Sequence, residues 1–212
     1  MLVRALYSLL MWLLQPAVRA KLRRRAVQEP AYGQHVEERF GVYPALDIPL
    51  APGQYFVWVH AVSLGETRAA AELITALRTA LPGMRLLLTH GTATGRVQGQ
   101  TLLQAGDVQV WQPWDTPAVA KRFLDHFTPR VGLLVETEVW PNMVAACKAR
   151  HVPLCLVNAR MSEKSLKQSL RLAWLARPAY AGLRAVWAQA APDAARLAAL
   201  GAPVQGVLGN FK

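Results

Sequence analysis

Apolar runs of strand length alternate along this chain with polar segments of helical period. The run at residues 55–62, Tyr55-Phe56-Val57-Trp58-Val59-His60-Ala61-Val62, is apolar at odd and even positions alike, as a strand covered on both faces must be. It passes through Ser63-Leu64-Gly65 into residues 66–77, whose apolar positions have helical spacing. The same alternation then recurs. Residues 85–90, 108–112, 130–135, 153–157, 183–188 and 204–208 read as strands, and residues 95–105, 118–127, 142–150, 162–176 and 192–200 as helices. This βα repeat predicts an α/β fold: a Rossmann-like, mostly parallel sheet with helices on both faces. Asp115 or Thr116 is the expected N-cap of the helix at 118–127.

Two segments precede the repeat. Residues 1–26 read as one helix, apolar on most faces through Leu2, Leu6, Leu9, Leu10, Leu13, Leu14, Tyr7 and Trp12. Its stretch free of charge and Gln, residues 5–14, is short of the roughly 20 apolar residues a membrane span needs. Arg19, Lys21, Arg23, Arg24 and Arg25 follow it. An apolar helix with Trp12 at headgroup level and a basic flank predicts a helix lying in the interface of an anionic membrane. A secretory signal carries its positive charge before the apolar stretch, the reverse of this order. Residues 27–53, rich in Pro and Gly, read as a linker. The expected organisation is a membrane-associating helix at 1–26, a linker at 27–53 and a Rossmann-like domain at 54–212.

Charge sharpens that division. The formal net charge is +11, and six of the 24 basic residues precede the first acid, Glu29. A basic cluster adjoining an apolar helix points to anionic lipid, and no nucleic-acid partner is expected. The two cysteines, Cys147 and Cys155, suggest no disulfide framework, and no Cys/His spacing resembles a metal site.

Candidate chemistry gathers where strands end, the edge at which open α/β sheets bind ligands. Ser63, Gly65 and Glu66 follow the first strand, and Thr92 and Thr94 the second, in a Gly/Thr turn that could cradle an anion. Glu136 and Glu138 follow the strand at 130–135; Asn158, Arg160 and Ser162 the next; Asn210 and Lys212 the last. Glu66 would sit in the first turn of its helix, where a carboxylate also serves simply to offset the helix dipole. If Glu136 and Glu138 continued their strand they would point to opposite faces, leaving at most one for a shared pocket.

Four stretches carry a resemblance: His60-Ala61-Val62-Ser63-Leu64-Gly65-Glu66, Glu136-Thr137-Glu138-Val139-Trp140-Pro141-Asn142, Asn158-Ala159-Arg160-Met161-Ser162 and Gly209-Asn210-Phe211-Lys212. Together they resemble the bacterial 3-deoxy-D-manno-octulosonic acid (Kdo) transferases, with small departures at Leu64, Val139, Met161 and Phe211. The resemblance implies the N-terminal, acceptor-side half of a glycosyltransferase B fold, with the nucleotide-sugar domain lying outside this chain. It implies an inverting transfer of Kdo from CMP-Kdo to the lipid A precursor, in lipopolysaccharide biosynthesis at the cytoplasmic face of the inner membrane. It implies neither cofactor nor metal. Glu66 corresponds to the family's general base, and Glu136 and Lys212 to positions that steady the transition state. Ser63, Gly65, Thr92, Thr94, Glu138, Asn158, Arg160 and Ser162 are acceptor-site candidates. Half a cleft implies a chain that is inactive alone. The rival readings are a non-catalytic membrane-surface binding module and a UDP-sugar enzyme of the same fold.

Overall fold

The computed structural model describes residues 2–211. The expected single N-terminal helix is two, α1 (Leu2–Leu13) and α2 (Gln15–Gln28). Pro16 has no N–H to give the helical ladder, and the helix divides just before it, at Leu14. Leu14 keeps helical dihedrals and accepts the Val18 N–H at 3.0 Å, so the two helices meet without a loop. The segment expected as an irregular linker holds two 3₁₀ helices, Pro30–Gly33 and Val36–Phe40. Both are fastened to the sheet. Tyr32 stacks on Trp111 at 5.9 Å, and buried Glu38 accepts the Trp111 N–H at 2.8 Å while pairing with Arg96 at 2.6 Å.

The βα repeat follows in order: β1 (Tyr55–His60), α3 (Leu64–Ala80), β2 (Met84–His90), α4 (Ala93–Gln100), β3 (Val108–Trp111), α5 (Pro117–Phe127) and β4 (Val131–Val135). It continues through α6 (Pro141–Ala149), β5 (Leu154–Ala159), α7 (Glu163–Arg171), α8 (Ala173–Ala181), β6 (Ala185–Ala188), α9 (Ala191–Ala199) and β7 (Val204–Val207). The helix expected at 162–176 divides at Leu172. Beyond the turn α8 lays Ala179 and Tyr180 into the core, whereas α7 buries no residue.

All seven strands are parallel, in the order β3-β2-β1-β4-β5-β6-β7. Successive residues of β1 serve opposite faces, so the strand bridges two cores. Phe56 and Trp58 pack with Phe123, Phe127 and Leu156, while Val57 and Val59 pack with Ile74, Leu86 and Leu88. Gly132 lets β4 come close: a Cβ there would sit 2.6 Å from the Trp58 ring. The order of strands reverses between β1 and β4, where the connections leave to opposite sides and open a crevice at the carboxyl edge. The segments leaving those two strands carry Glu66, Glu136 and Glu138.

Candidate active site

Ser63 sits in extended conformation at the N-cap of α3 and takes the Glu66 N–H on its hydroxyl. The Glu66 side chain folds back, accepting the Val62 N–H at 2.6 Å and the Ser63 hydroxyl at 3.3 Å. Its carboxylate is therefore held by the turn just past β1, at the start of its own helix. Burial pushes its proton affinity up, and the nearby Glu136 and Glu138 add repulsion. The Val62 and Ser63 hydrogen bonds pull the other way, and the pKa is raised to about 7.

Glu136 and Glu138 do not continue β4, which ends at Val135. The expectation that they point to opposite faces is thus replaced by a turn. Glu136 adopts φ 68°; its N–H donates to Val157 O and its C=O accepts the Arg160 N–H, both at 3.1 Å. That reversal is what lets both carboxylates act on Glu66.

Beside Glu138 lies His60, the last residue of β1 and fully buried. Its Nε2 is 3.7 Å from Glu138 Oε2, and its ring meets Trp140 edge-on at 4.9 Å. Gln112 donates its side-chain amide to the same Glu138 oxygen at 3.0 Å. Neither His60 nor Gln112 is among the site candidates of the sequence: His60 opens one of the four resembling stretches but lies inside an apolar run, and Gln112 carries no motif. The further signal was position, one at a strand end and the other just past one.

Thr92 caps α4, taking the Gly95 N–H and donating to Val62 O at 3.0 Å, which ties the second strand-end turn to the first. Gly95 makes that approach possible, since a Cβ there would meet Val62 O at 3.0 Å. Gly65 and Thr94 are exposed at the same edge, and Thr94 with Leu64, Ala93, Val97 and Pro30 lines an open, mainly apolar recess of about 430 Å³. Asn158, at φ 51° and buried, accepts the Phe211 N–H at 3.3 Å, bringing the last strand-end segment toward the turn at Glu136. Arg160 is exposed and joins Glu136 through backbone. Ser162 is occupied as the N-cap of α7. Lys212 lies outside the described residues. Among the described residues no group of three or more His, Cys, Asp or Glu is placed to hold a metal ion.

A second carboxylate network underlies the edge. Asp115 was an expected cap of α5, but Thr116 fills that role. Asp115 instead accepts the Asn142 and Met143 N–H groups at the start of α6, at 3.1 and 2.8 Å, and the Tyr7 hydroxyl at 2.9 Å. Ser8 donates to Asn142 Oδ1 at 2.9 Å and Trp114 to Met11 O at 2.7 Å. Polar bonds thus latch α1 to the carboxyl edge of the sheet, while Leu2, Leu6, Leu9, Leu10, Trp12 and Leu13 remain exposed.

The family model for 3-deoxy-D-manno-octulosonic-acid transferase (kdotransferase) matches residues 34–212. The chain belongs to the Kdo transferase family. The Kdo transferase of Bordetella pertussis is 45% identical over 218 residues, covering 99% of this chain and 49% of that protein. That of Haemophilus influenzae (strain ATCC 51907 / DSM 11121 / KW20 / Rd) is 28% identical, again over 99% of this chain and 49% of the relative. The chain therefore spans about half the length of these curated Kdo transferases. Among solved structures, UDP-GlcNAc 2-epimerase from Neisseria meningitidis bound to UDP-GlcNAc superposes with a TM-score of 0.51 at 15% identity, over 74% of this chain and 47% of the epimerase. At that identity the likeness is one of fold.

Proposed function

We propose that this chain supplies the acceptor side of an inverting glycosyltransferase that moves Kdo from CMP-Kdo to the lipid A precursor. The observation that carries the reading is the carboxylate group at the sheet's reversal point, with Glu66 held there at a pKa of about 7. A group that merely offset a helix dipole would be favoured in its charged form; this one is favoured in its neutral form. A carboxyl poised near neutrality suits general-base work. In the proposed step, an acceptor hydroxyl attacks the anomeric carbon from the face opposite the departing CMP. Its proton passes to Glu66 as the new C–O bond forms and the bond to the CMP phosphate breaks. Glu136 orients Lys212 or the sugar, and Lys212 offsets charge on the donor carboxylate or the departing phosphate. Ser63, Gly65, Thr92, Thr94, Glu138, Asn158, Arg160 and Ser162 are the candidate acceptor contacts.

The reaction is assigned to the cytoplasmic face of the inner membrane, with α1 lying in the interface and Arg19, Lys21, Arg23, Arg24 and Arg25 against anionic headgroups. The exposed leucines of α1 and the basic residues that follow them support that placement. No helix among the described residues is long and apolar enough to cross a membrane. The deciding experiment measures Kdo transfer from CMP-Kdo to a lipid A precursor by the full gene product carrying this chain. Glu66→Gln should lower kcat by roughly 10²–10⁴-fold, the range of general acid–base catalysis. Near-normal turnover by a folded Glu66→Gln protein would remove Glu66 from the step.

A further inference from the structure

His60 lies fully buried at the end of β1, beside the reversal point, and its two nitrogens face different things. Nδ1 lies 2.7 Å from Thr89 Oγ1, and Thr89 Oγ1 also sits 2.8 Å from Trp58 Nε1. An indole N–H can only donate, so one lone pair of the Thr89 oxygen is taken by Trp58. Thr89 and His60 are both fully buried, so the hydroxyl proton needs an acceptor inside the protein. Of the two side-chain groups within hydrogen-bond distance of Thr89 Oγ1, the Trp58 indole N–H cannot accept, which leaves Nδ1 as the acceptor. Neutral imidazole carries a single N–H, so an accepting Nδ1 places the proton on Nε2. Nε2 has no hydrogen-bond partner, and the carboxylate oxygen of Glu138 stands 3.7 Å away.

We propose that His60 is a positioning residue that holds the Glu138 carboxylate through an Nε2–H whose tautomer is set by Trp58 and Thr89. The proposal rests on the transferase reading for its kinetic consequence but not for its chemistry. Glu138 is half-buried, and its Oε2 is already gripped from the other side by Gln112 at 3.0 Å. A shift of under one ångström in this side chain brings Nε2–H and Oε2 to bonding distance. Trp140, packed edge-on against the ring, blocks its rotation away. Glu138 would then be clamped between two donors, one from the end of β1 and one from beyond β3, at a fixed place beside Glu66. His60 itself touches no reacting atom.

Long-range ¹⁵N–¹H correlation spectra of histidine-labelled protein test this directly. The expected result is an Nε2–H tautomer for His60 and a displaced Nε2 resonance on Glu138→Gln. An Nδ1–H tautomer, or an Nε2 resonance indifferent to Glu138→Gln, would overturn the proposal. Kinetics of the full gene product give an independent reading. Asn at position 60 reproduces the Nδ1 contact but falls short of Glu138, whereas Gln reaches the place of Nε2. A purely structural histidine predicts equal losses. Positioning predicts that His60→Gln exceeds His60→Asn in kcat by roughly tenfold to a hundredfold, the scale of a misplacement near one ångström, at similar KM. Equal kcat values in folded variants would also overturn it. If neither variant folds, the wild-type and Glu138→Gln spectra decide alone. If the unaltered gene product transfers no Kdo, the transferase reading falls while the spectra still decide the His60–Glu138 link.

Discussion

Replacing Glu66 by Gln should stabilise this domain at pH 8 and leave it nearly unchanged at pH 5. Burial, then the neighbouring Glu136 and Glu138, raise its pKa from 4.5 to about 7. Between those values the folded state binds a proton that the unfolded state has lost, so stability falls as pH rises through the window. At about 1.4 kcal/mol per unit, that shift corresponds to roughly 3 kcal/mol by pH 8. Glu66 keeps part of its surface in water, and screening reduces the figure to about 1–2 kcal/mol. Gln removes the charge while its amide oxygen can still accept the Val62 N–H, so most of this is recovered in the variant. Each kcal/mol corresponds to about 2–4 °C in Tm for a domain of this size. Urea titrations of both proteins at pH 5 and pH 8 measure the four free energies. A Glu66 that only complemented the helix dipole predicts the opposite sign, a loss of about 0.3–1 kcal/mol at pH 8. A variant that is less stable at pH 8, or whose difference from wild type ignores pH, would refute the electrostatic account. Paired with the kinetic test, the expected outcome is a protein made firmer and slower by one substitution.

Asp115→Ala strips two buried N–H groups at the start of α6 of their acceptor, and should cost about 2–4 kcal/mol in urea denaturation. Tyr7→Phe removes a single hydrogen bond to the same carboxylate and should cost about 1 kcal/mol. Gly95→Ala drives a methyl against Val62 O and Ser63 C, at 3.0 and 3.1 Å, so α4 must back away from the Glu66 turn. Transfer activity should fall more than Tm does, read by kcat beside a thermal melt. Leu6→Asp with Leu9→Asp lies on the exposed face of α1 and should reduce flotation with anionic liposomes while leaving Tm unchanged. Deleting residues 2–26 should abolish the salt-sensitive part of that binding, worth roughly 1 kcal/mol for each basic residue near the surface.

The parallel sheet was legible because central strands covered on both faces are apolar throughout, and the shorter edge strands β3 and β7, which carry Gln109 and Gln205, fall in the same strand-and-helix spacing. Element ends were less so. The break at Pro16 follows from a missing N–H, yet a run of leucines conceals it. The division at Leu172 depends on what α8 packs against. At the site, Glu66 and the carboxylate pair could be read from strand ends and motifs. Their mutual approach could not, because it depends on the left-handed turn at Glu136. Asp115 went to α6 because Thr116, one residue nearer, takes the cap of α5, and the fold brings a helix start 27 residues away in sequence against the freed carboxylate. His60 opens a resembling stretch but does not read as a site residue, because a histidine in an apolar run looks like core until the segment leaving the neighbouring strand brings a carboxylate to it.

Glu136 occupies a backbone conformation, φ 68°, that a β-carbon disfavours by about 1–2 kcal/mol. Glycine would relieve it, and asparagine, as at Asn158 on the neighbouring strand, would tolerate it better. Selection for stability should therefore favour Gly or Asn at this position in any lineage that does not use the carboxylate. Under the proposed role in transfer, a related chain with Gly at this turn and an otherwise intact sheet would be expected to have lost that role, because strain at Glu136 is tolerated only where its carboxylate is used.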